Sequence, residues 1–246
     1  MNFWARLDVA LRARRLKNKT DIELHLLPAL VQPSSLALDI GANKGVYTYH
    51  LQKLSRVHAF EPIPMLAKTL DDAGFRGVTV HHCGLGRERM TATLQIPHHR
   101  KRRRKLNTPA ATFRALGGST PDAMETFEIE VKRLDDFAFE DVSFVKLDVE
   151  GWEEHVLAGG EETFARNRPV LLIEIVEAIA PGIFDFLDGF YARHSYEMFF
   201  IARGERRIQP VAALDRTRPQ ADNFLAFPQE RAAAFVADCN KLLTRV

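Results

Sequence analysis

Two short runs carry side chains whose types and spacing suit one kind of chemistry. In LDIGANKG, residues 38–45, Asp39 stands before a G-x-N-x-G turn made by Gly41, Asn43 and Gly45. Glu61 follows in Phe60-Glu61-Pro62, twenty residues after Gly41. Glycines let a ligand approach the backbone with no Cβ in the way. A carboxylate placed as Glu61 is can accept both hydroxyls of a ribose, because it offers two oxygens. The second run is VKLDVEGWEEHVLAGG, residues 145–160, which supplies Asp148, Glu150 and His155. Glu174, in PVLLIEIV, completes the candidate set.

The spacing bears on the ligand. A dinucleotide fingerprint reads G-x-G-x-x-G, with a pyrophosphate on the helix N-terminus. Here Asn43 takes the middle position and the third glycine comes one place early. Asp39 precedes the turn, where it repels an anion and suits an amine or a sulfonium. These features point to S-adenosylmethionine. NAD or another nucleotide, and a glycine turn that merely joins strand to helix, are the competing readings.

Elements must position these groups. SLALDI reads as a strand into the glycine turn, Val46 to Leu54 as a helix, and Arg56 to Glu61 as a second strand. VTVHH (78–82), VSFVKLD (142–148) and PVLLIEIV (169–176) read as further strands. TATLQI (91–96) and EIEVK (128–132) alternate like hairpin or edge strands. A helix is expected from near Gly151, with Gly159-Gly160 as its stop. YEMFFIA (196–202) and NFLAF (223–227) have no clear helix between them and read as an antiparallel pair. Repeated β–α alternation predicts an α/β, mostly parallel sheet with helices on both faces. In such sheets ligands sit beyond the carboxyl ends of the strands, where Asp39, Glu61, Asp148 and Glu174 fall.

The chain resembles the FkbM family of S-adenosylmethionine-dependent methyltransferases. LDIGANKGVYT, FEP, RLDDF before VKLDVEG, and PVLLIEI carry the resemblance, over roughly residues 35–180. It implies a class I methyltransferase (Rossmann-like) fold, with a seven-stranded sheet whose last strand is antiparallel. It also implies methylation of hydroxyl groups on sugars or polyketide-like products. By position, Asp39, Gly41, Ala42, Asn43 and Gly45 match the cofactor loop. Glu61, with Pro62 beside it, matches the ribose acid, and Gly84 and Leu85 after Cys83 fall at the adenine side. Asp148, Glu150 and Gly151 match the loop facing the transferred methyl.

A sugar hydroxyl is a poor nucleophile near neutral pH and needs a general base or a metal. Asp148 and Glu150 are the first candidates for the base, followed by Glu174 and His155. Asp148 alternatively holds the methionine amine. A hard divalent cation on Asp148, Glu150 and Glu174 is an alternative rather than the expectation. His155 also reads as a structural histidine, and His81, His82, His98 and His99 make no ligand set by spacing.

The bulk numbers bound the answer. The chain has 246 residues, 46% of them hydrophobic, enough for one sizeable core. A net charge of +2 sets no global preference for polyanions. Two distant cysteines make neither a disulfide framework nor a zinc spacing, so a cytoplasmic setting is expected. Residues 1–34 read as a basic amphipathic helical segment, 35–230 as the methyltransferase domain and 231–246 as a C-terminal helix. The N-terminal helix packs on the domain or a second subunit, or touches a membrane peripherally. HHRKRRRK, residues 98–105, reads as a loop, either solvated or meeting an anionic acceptor. The expected partner is a small-molecule or glycan acceptor. A nucleic-acid methyltransferase is the runner-up: the position after VSFVKL reads DVEG and not an Asn/Asp-Pro-Pro-aromatic run, and the basic run holds no aromatic to stack on a base. A non-catalytic binding module on the same fold is the third reading.

Overall fold

The computed structural model describes residues 2–17, 21–97, 124–178, 180–213 and 221–245. The basic run 98–105, with His98 and His99, lies outside the described residues.

The first helix, α1 (Phe3–Lys17), leads through a 3-10 turn at Ile22–His25 into the short α2 (Leu27–Leu30). Strand β1 (Leu36–Ile40), α3 (Val46–Leu51), β2 (Arg56–Phe60), α4 (Pro64–Ala73) and β3 (Val78–His81) then alternate. Pro64 opens α4, where its missing N–H is no loss, and Gly74 closes it in the left-handed conformation. An excursion follows: β4 (Gly84–Leu85), β5 (Met90–Pro97) and β6 (Met124–Lys132). The alternation resumes with β7 (Val142–Leu147), α5 (Glu153–Ala158), α6 (Glu161–Asn167), β8 (Val170–Val176) and α7 (Ile183–His194). The chain closes with β9 (Tyr196–Ala202), β10 (Arg207–Pro210), β11 (Ala221–Pro228) and α8 (Gln229–Leu243).

Among the described residues one sheet has eight strands, in the order β10-β9-β11-β8-β7-β1-β2-β3. The run from β8 to β3 is parallel. β11 runs antiparallel to both β8 and β9, as the sequence predicts for the last pair. Without β10 the order is that of a class I methyltransferase sheet. The seven-strand expectation is short by one: β10 adds an antiparallel edge beside β9. Its four residues, RIQP, carry one buried apolar side chain, so no alternation announces them. A proline is tolerated there because an edge strand has no partner on one side. β5 and β6 form the predicted hairpin, joined by β4 in a separate three-stranded sheet.

All five residues of β1 and all six of β7 are buried, so both faces of the central sheet are covered. Period-2 alternation divides them. Leu38, Ile40, Val145, Leu147 and Ile173 pack with Val156, Phe164 and Phe190 on one face. Ala37, Phe144, Leu172 and Leu225 pack with Leu27, Leu30 and Leu243 on the other.

Gly159 and Gly160 stop α5 as expected, and neither is left-handed. Gly159 has φ of −85°, Gly160 has φ of −124°, and α6 starts immediately after them. The reason for glycine is close packing. A Cβ on Gly159 would lie 1.9 Å from the Gly86 carbonyl oxygen.

Candidate active site

The turn after β1 is held from two sides. Gly41 N–H and Ala42 N–H both donate to the Phe60 carbonyl at 3.0 Å, and Gly45 N–H donates to the Ala42 carbonyl at 2.8 Å. Gly41 has φ of +80°, and a Cβ there would lie 1.8 Å from the Asp148 carbonyl oxygen. Asp148 N–H in turn donates to the Ile40 carbonyl at 3.0 Å. The glycine turn and the Asp148 loop therefore form one packed unit. Asn43 is itself left-handed, with φ of 49°, a conformation asparagine tolerates better than most residues.

Glu61 is 3% exposed and braces this turn. Its two carboxylate oxygens accept the N–H groups of Asn43 at 2.7 Å and Ile63 at 2.8 Å. Burial outweighs those bonds and pushes its carboxyl up to about 7. Each oxygen keeps a further lone pair for a ligand hydroxyl. Asp39, 1% exposed, accepts a hydrogen bond from the Thr48 hydroxyl, and burial raises it to about 6.

The second group stands at the carboxyl ends of β7 and β8 and the amino end of the antiparallel β11. Buried Lys146 places Nζ 3.7 Å from a carboxylate oxygen of Asp148 and 3.7 Å from one of Glu174. It also donates to Asn223 Oδ1 at 3.1 Å. Glu150 occupies a left-handed turn with φ of 53°, followed by Gly151 at 93°. Glu153, 2% exposed, stabilises that turn by accepting the N–H groups of Gly151 at 3.1 Å and Val149 at 3.3 Å. Burial, then the nearby Asp148 and Glu174 charges, raise the Glu150 carboxyl to about 8. Burial and Asp148 raise Glu174 to about 7.

A cavity of about 590 Å³ opens over both groups. Of the predicted residues, Asp39, Gly41, Ala42, Asn43, Asp148 and Glu174 line it. Gly45, Glu61, Pro62, Glu150 and His155 do not: Glu61 supports the turn from behind, and His155 stacks on Trp152 at 3.8 Å between ring centres. Gly84 and Leu85 are buried in β4, in the small sheet. His81 lies at the sheet edge with Nε2 2.8 Å from His58 Nδ1, and His82 pairs with Asp71.

Several lining residues escape a motif reading. Lys146 was legible in principle, since it precedes Asp148 by two and so shares its strand face. Tyr47, Arg203 and Asn223 had no local signal. Arg12, Leu16 and Asp21 come from the N-terminal segment and reach the cavity only through the packing of α1.

The cavity suits a ligand with hydrogen-bond donors. Asn43 Oδ1 is buried and lacks a hydrogen-bond partner among the described residues. An acceptor in that state is satisfied by an amine or hydroxyl, and S-adenosylmethionine carries both. The cation alternative fits less well. Among the described residues no group of three or more metal-ligating side chains is placed to hold an ion. Lys146 puts the chain's own cation between Asp148 and Glu174.

Comparison with known proteins bears on the family. The profile of the methyltransferase FkbM domain matches residues 39–198. The chain is 33% identical over 144 residues to "Methyltransferase 1" of Beauveria bassiana, an alignment covering 51% of this chain and 58% of that protein. It thus spans just over half the length of that relative. The crystal structure of methyltransferase FkbM from Methylobacillus flagellatus superposes with a TM-score of 0.49 at 21% identity, over 79% of this chain and 43% of that one. An rRNA methylase from Streptococcus thermophilus gives a TM-score of 0.46 at 14% identity, over 84% and 94% of the two chains. The family profile spans well over half of the sequence and includes the glycine turn, Glu61 and the D-x-E-G loop: this chain belongs to the FkbM methyltransferase family.

Proposed function

We propose that this protein is an S-adenosylmethionine-dependent O-methyltransferase whose acceptor is a hydroxyl on a sugar, a glycan or a polyketide-like small molecule. The observation that carries this reading is the cluster of Asp148, Glu150 and Glu174 around Lys146, packed against the glycine turn. When bound, the cofactor supplies an electrophilic methyl on sulfonium: a C–O bond forms, the S–C bond breaks, and the acceptor proton must leave.

The chain's residues supply what that transfer needs. Asn43, Asp39 and Glu61 form the polar cradle of the cofactor side. Asp148 and Glu174, part-exposed beside Lys146, face the cavity. Glu150 stands outside the cavity lining but beside Asp148 and Glu174, and its carboxyl, pushed up to about 8, titrates in the range where a general base works best. A sulfonium held nearby would lower the Glu150 and Glu174 carboxyls, because an opposite charge favours their ionised forms. Lys146 keeps Asp148 and Glu174 close without leaving two bare charges side by side.

The test is transfer of labelled methyl onto extracted glycans, lipids, RNA and small alcohols. The expected product is a methyl ether, which keeps its label through mild alkali. An alkali-labile ester, or label in RNA alone, overturns the reading. Absence of any transfer or cofactor binding supports a binding module instead.

A further inference from the structure

Helix α1 carries apolar side chains on two opposite sides, the outer ones with Asp8 between them. Val9 and Ala13, 1% and 0% exposed, pack against Tyr49, Ala73 and Phe75. Trp4 lies nine residues before Ala13, half a turn round the helix from it. Trp4 is 73% exposed and Leu11 is 58% exposed. Their seven-residue spacing puts both on one outer stripe. Arg14 and Arg15 are exposed beside that stripe.

Charge says what covers it. α1 holds five cations (Arg6, Arg12, Arg14, Arg15, Lys17) against one acid, Asp8, for a net of 5 − 1 = +4. The whole chain carries only +2. Asp8 is already paired with Arg12, and Asp72 of the adjoining α4 with Lys68. A face with Trp and Leu among cations is the pattern of an interfacial helix on anionic lipid. Self-association fits poorly: a two-fold contact would bring cations against cations, and two side chains fall far short of a stable interface of about 1,000 Å².

We propose that the outer face of α1 docks the protein on an anionic lipid bilayer, with Trp4 and Leu11 entering the headgroup region. Arg12 and Leu16 of the same helix line the cavity. Docking therefore holds the cavity beside the membrane surface, and in the methyltransferase reading the acceptor hydroxyl belongs to a membrane-associated molecule.

The experiment is co-sedimentation of the full chain with vesicles of phosphatidylcholine alone and of phosphatidylcholine mixed with phosphatidylserine. Binding is expected to the mixed vesicles, weakening as salt rises, with a blue shift in tryptophan emission that is lost in Trp4→Phe. Trp4→Ala with Leu11→Ala should lower partitioning at least about tenfold. Arg15→Ala should cost about fivefold. Trp4, Leu11 and Arg15 are exposed, and an unchanged melting temperature verifies that the variants fold. Equal binding to both vesicle types, or mixed-vesicle binding indifferent to Trp4 and Leu11, overturns the proposal. So does a dimer in solution that Trp4→Ala dissociates, since a second copy would then cover the face. S-adenosylmethionine affinity of the unbound protein is measured separately: its absence defeats the methyltransferase reading and leaves lipid docking intact.

Discussion

Two acids in this site stand in different surroundings, and substitution should separate their proposed roles. Glu61 is buried, with both oxygens accepting backbone N–H groups, so it shapes the turn on the proposed cofactor side. Glu150 sits in a left-handed turn beside Asp148 and Glu174, with its carboxyl raised to about 8. Glu61→Ala should weaken S-adenosylmethionine binding by about 1–3 kcal/mol, the cost of losing a charged hydrogen-bond partner and freeing the turn. Glu150→Gln should leave that affinity largely intact and lower kcat on the order of 10²-fold. The alkaline-rising limb of the parent's kcat profile should flatten with it. Calorimetry and steady-state kinetics check both. Identical affinity losses in the two variants, with unchanged turnover in Glu150→Gln, would end this division of roles.

At the scale of elements, the glycine turn and the Asp148 loop act as one unit because Gly41 lets them touch. Gly182 offers a matched comparison. Both glycines have φ of +80°, but a Cβ at Gly182 meets nothing within 4 Å, whereas at Gly41 it meets the Asp148 carbonyl at 1.8 Å. Gly182→Ala should therefore show backbone strain alone, about 1–2 kcal/mol. Gly41→Ala should lose clearly more stability, and also cofactor affinity, because Asp148 must shift. Thermal melts and calorimetric titration of the two variants decide it. Equal effects at both positions would mean that the contact between the loops carries no weight.

For the whole molecule, the buried acids set a pH dependence of stability. Glu61 and Glu174 are raised to about 7 and Glu150 to about 8, so the folded chain keeps protons that the unfolded chain has released. Stability then falls as pH rises through those values. Two histidines oppose this at lower pH: burial depresses His50 and His81 from 6.5 to about 4, which makes stability rise until about 6.5. The unopposed window is about pH 6.5 to 8. The melting temperature of the ligand-free protein should decline across it, and S-adenosylmethionine should restore more stability at its upper end. A flat or rising profile in that window would show that these carboxyls are already ionised. Among the described residues no helix is long and apolar enough to cross a membrane.

What the sequence determined by itself was local. Gly41, Asn43 and Gly45 announce their turn because few other residues accept its backbone. β1, β7 and β8 announce themselves as apolar runs, and Glu61, Asp148 and Glu174 fall at strand ends by counting along those runs. Tertiary structure decided everything that depends on neighbours distant in sequence. Lys146 becomes the cation between Asp148 and Glu174 only because β7 and β8 lie side by side. Glu61 turns out to brace Asn43, eighteen residues away, from behind the cavity. Gly159 is glycine because Gly86 crosses it, and β10 exists because β9 offers it an edge. Arg12 and Leu16 reach the cavity because Val9 and Ala13 dock α1 against the main domain. Period and propensity record a residue's own turn or strand; which charges share one low-dielectric space is fixed only when the sheet closes over them.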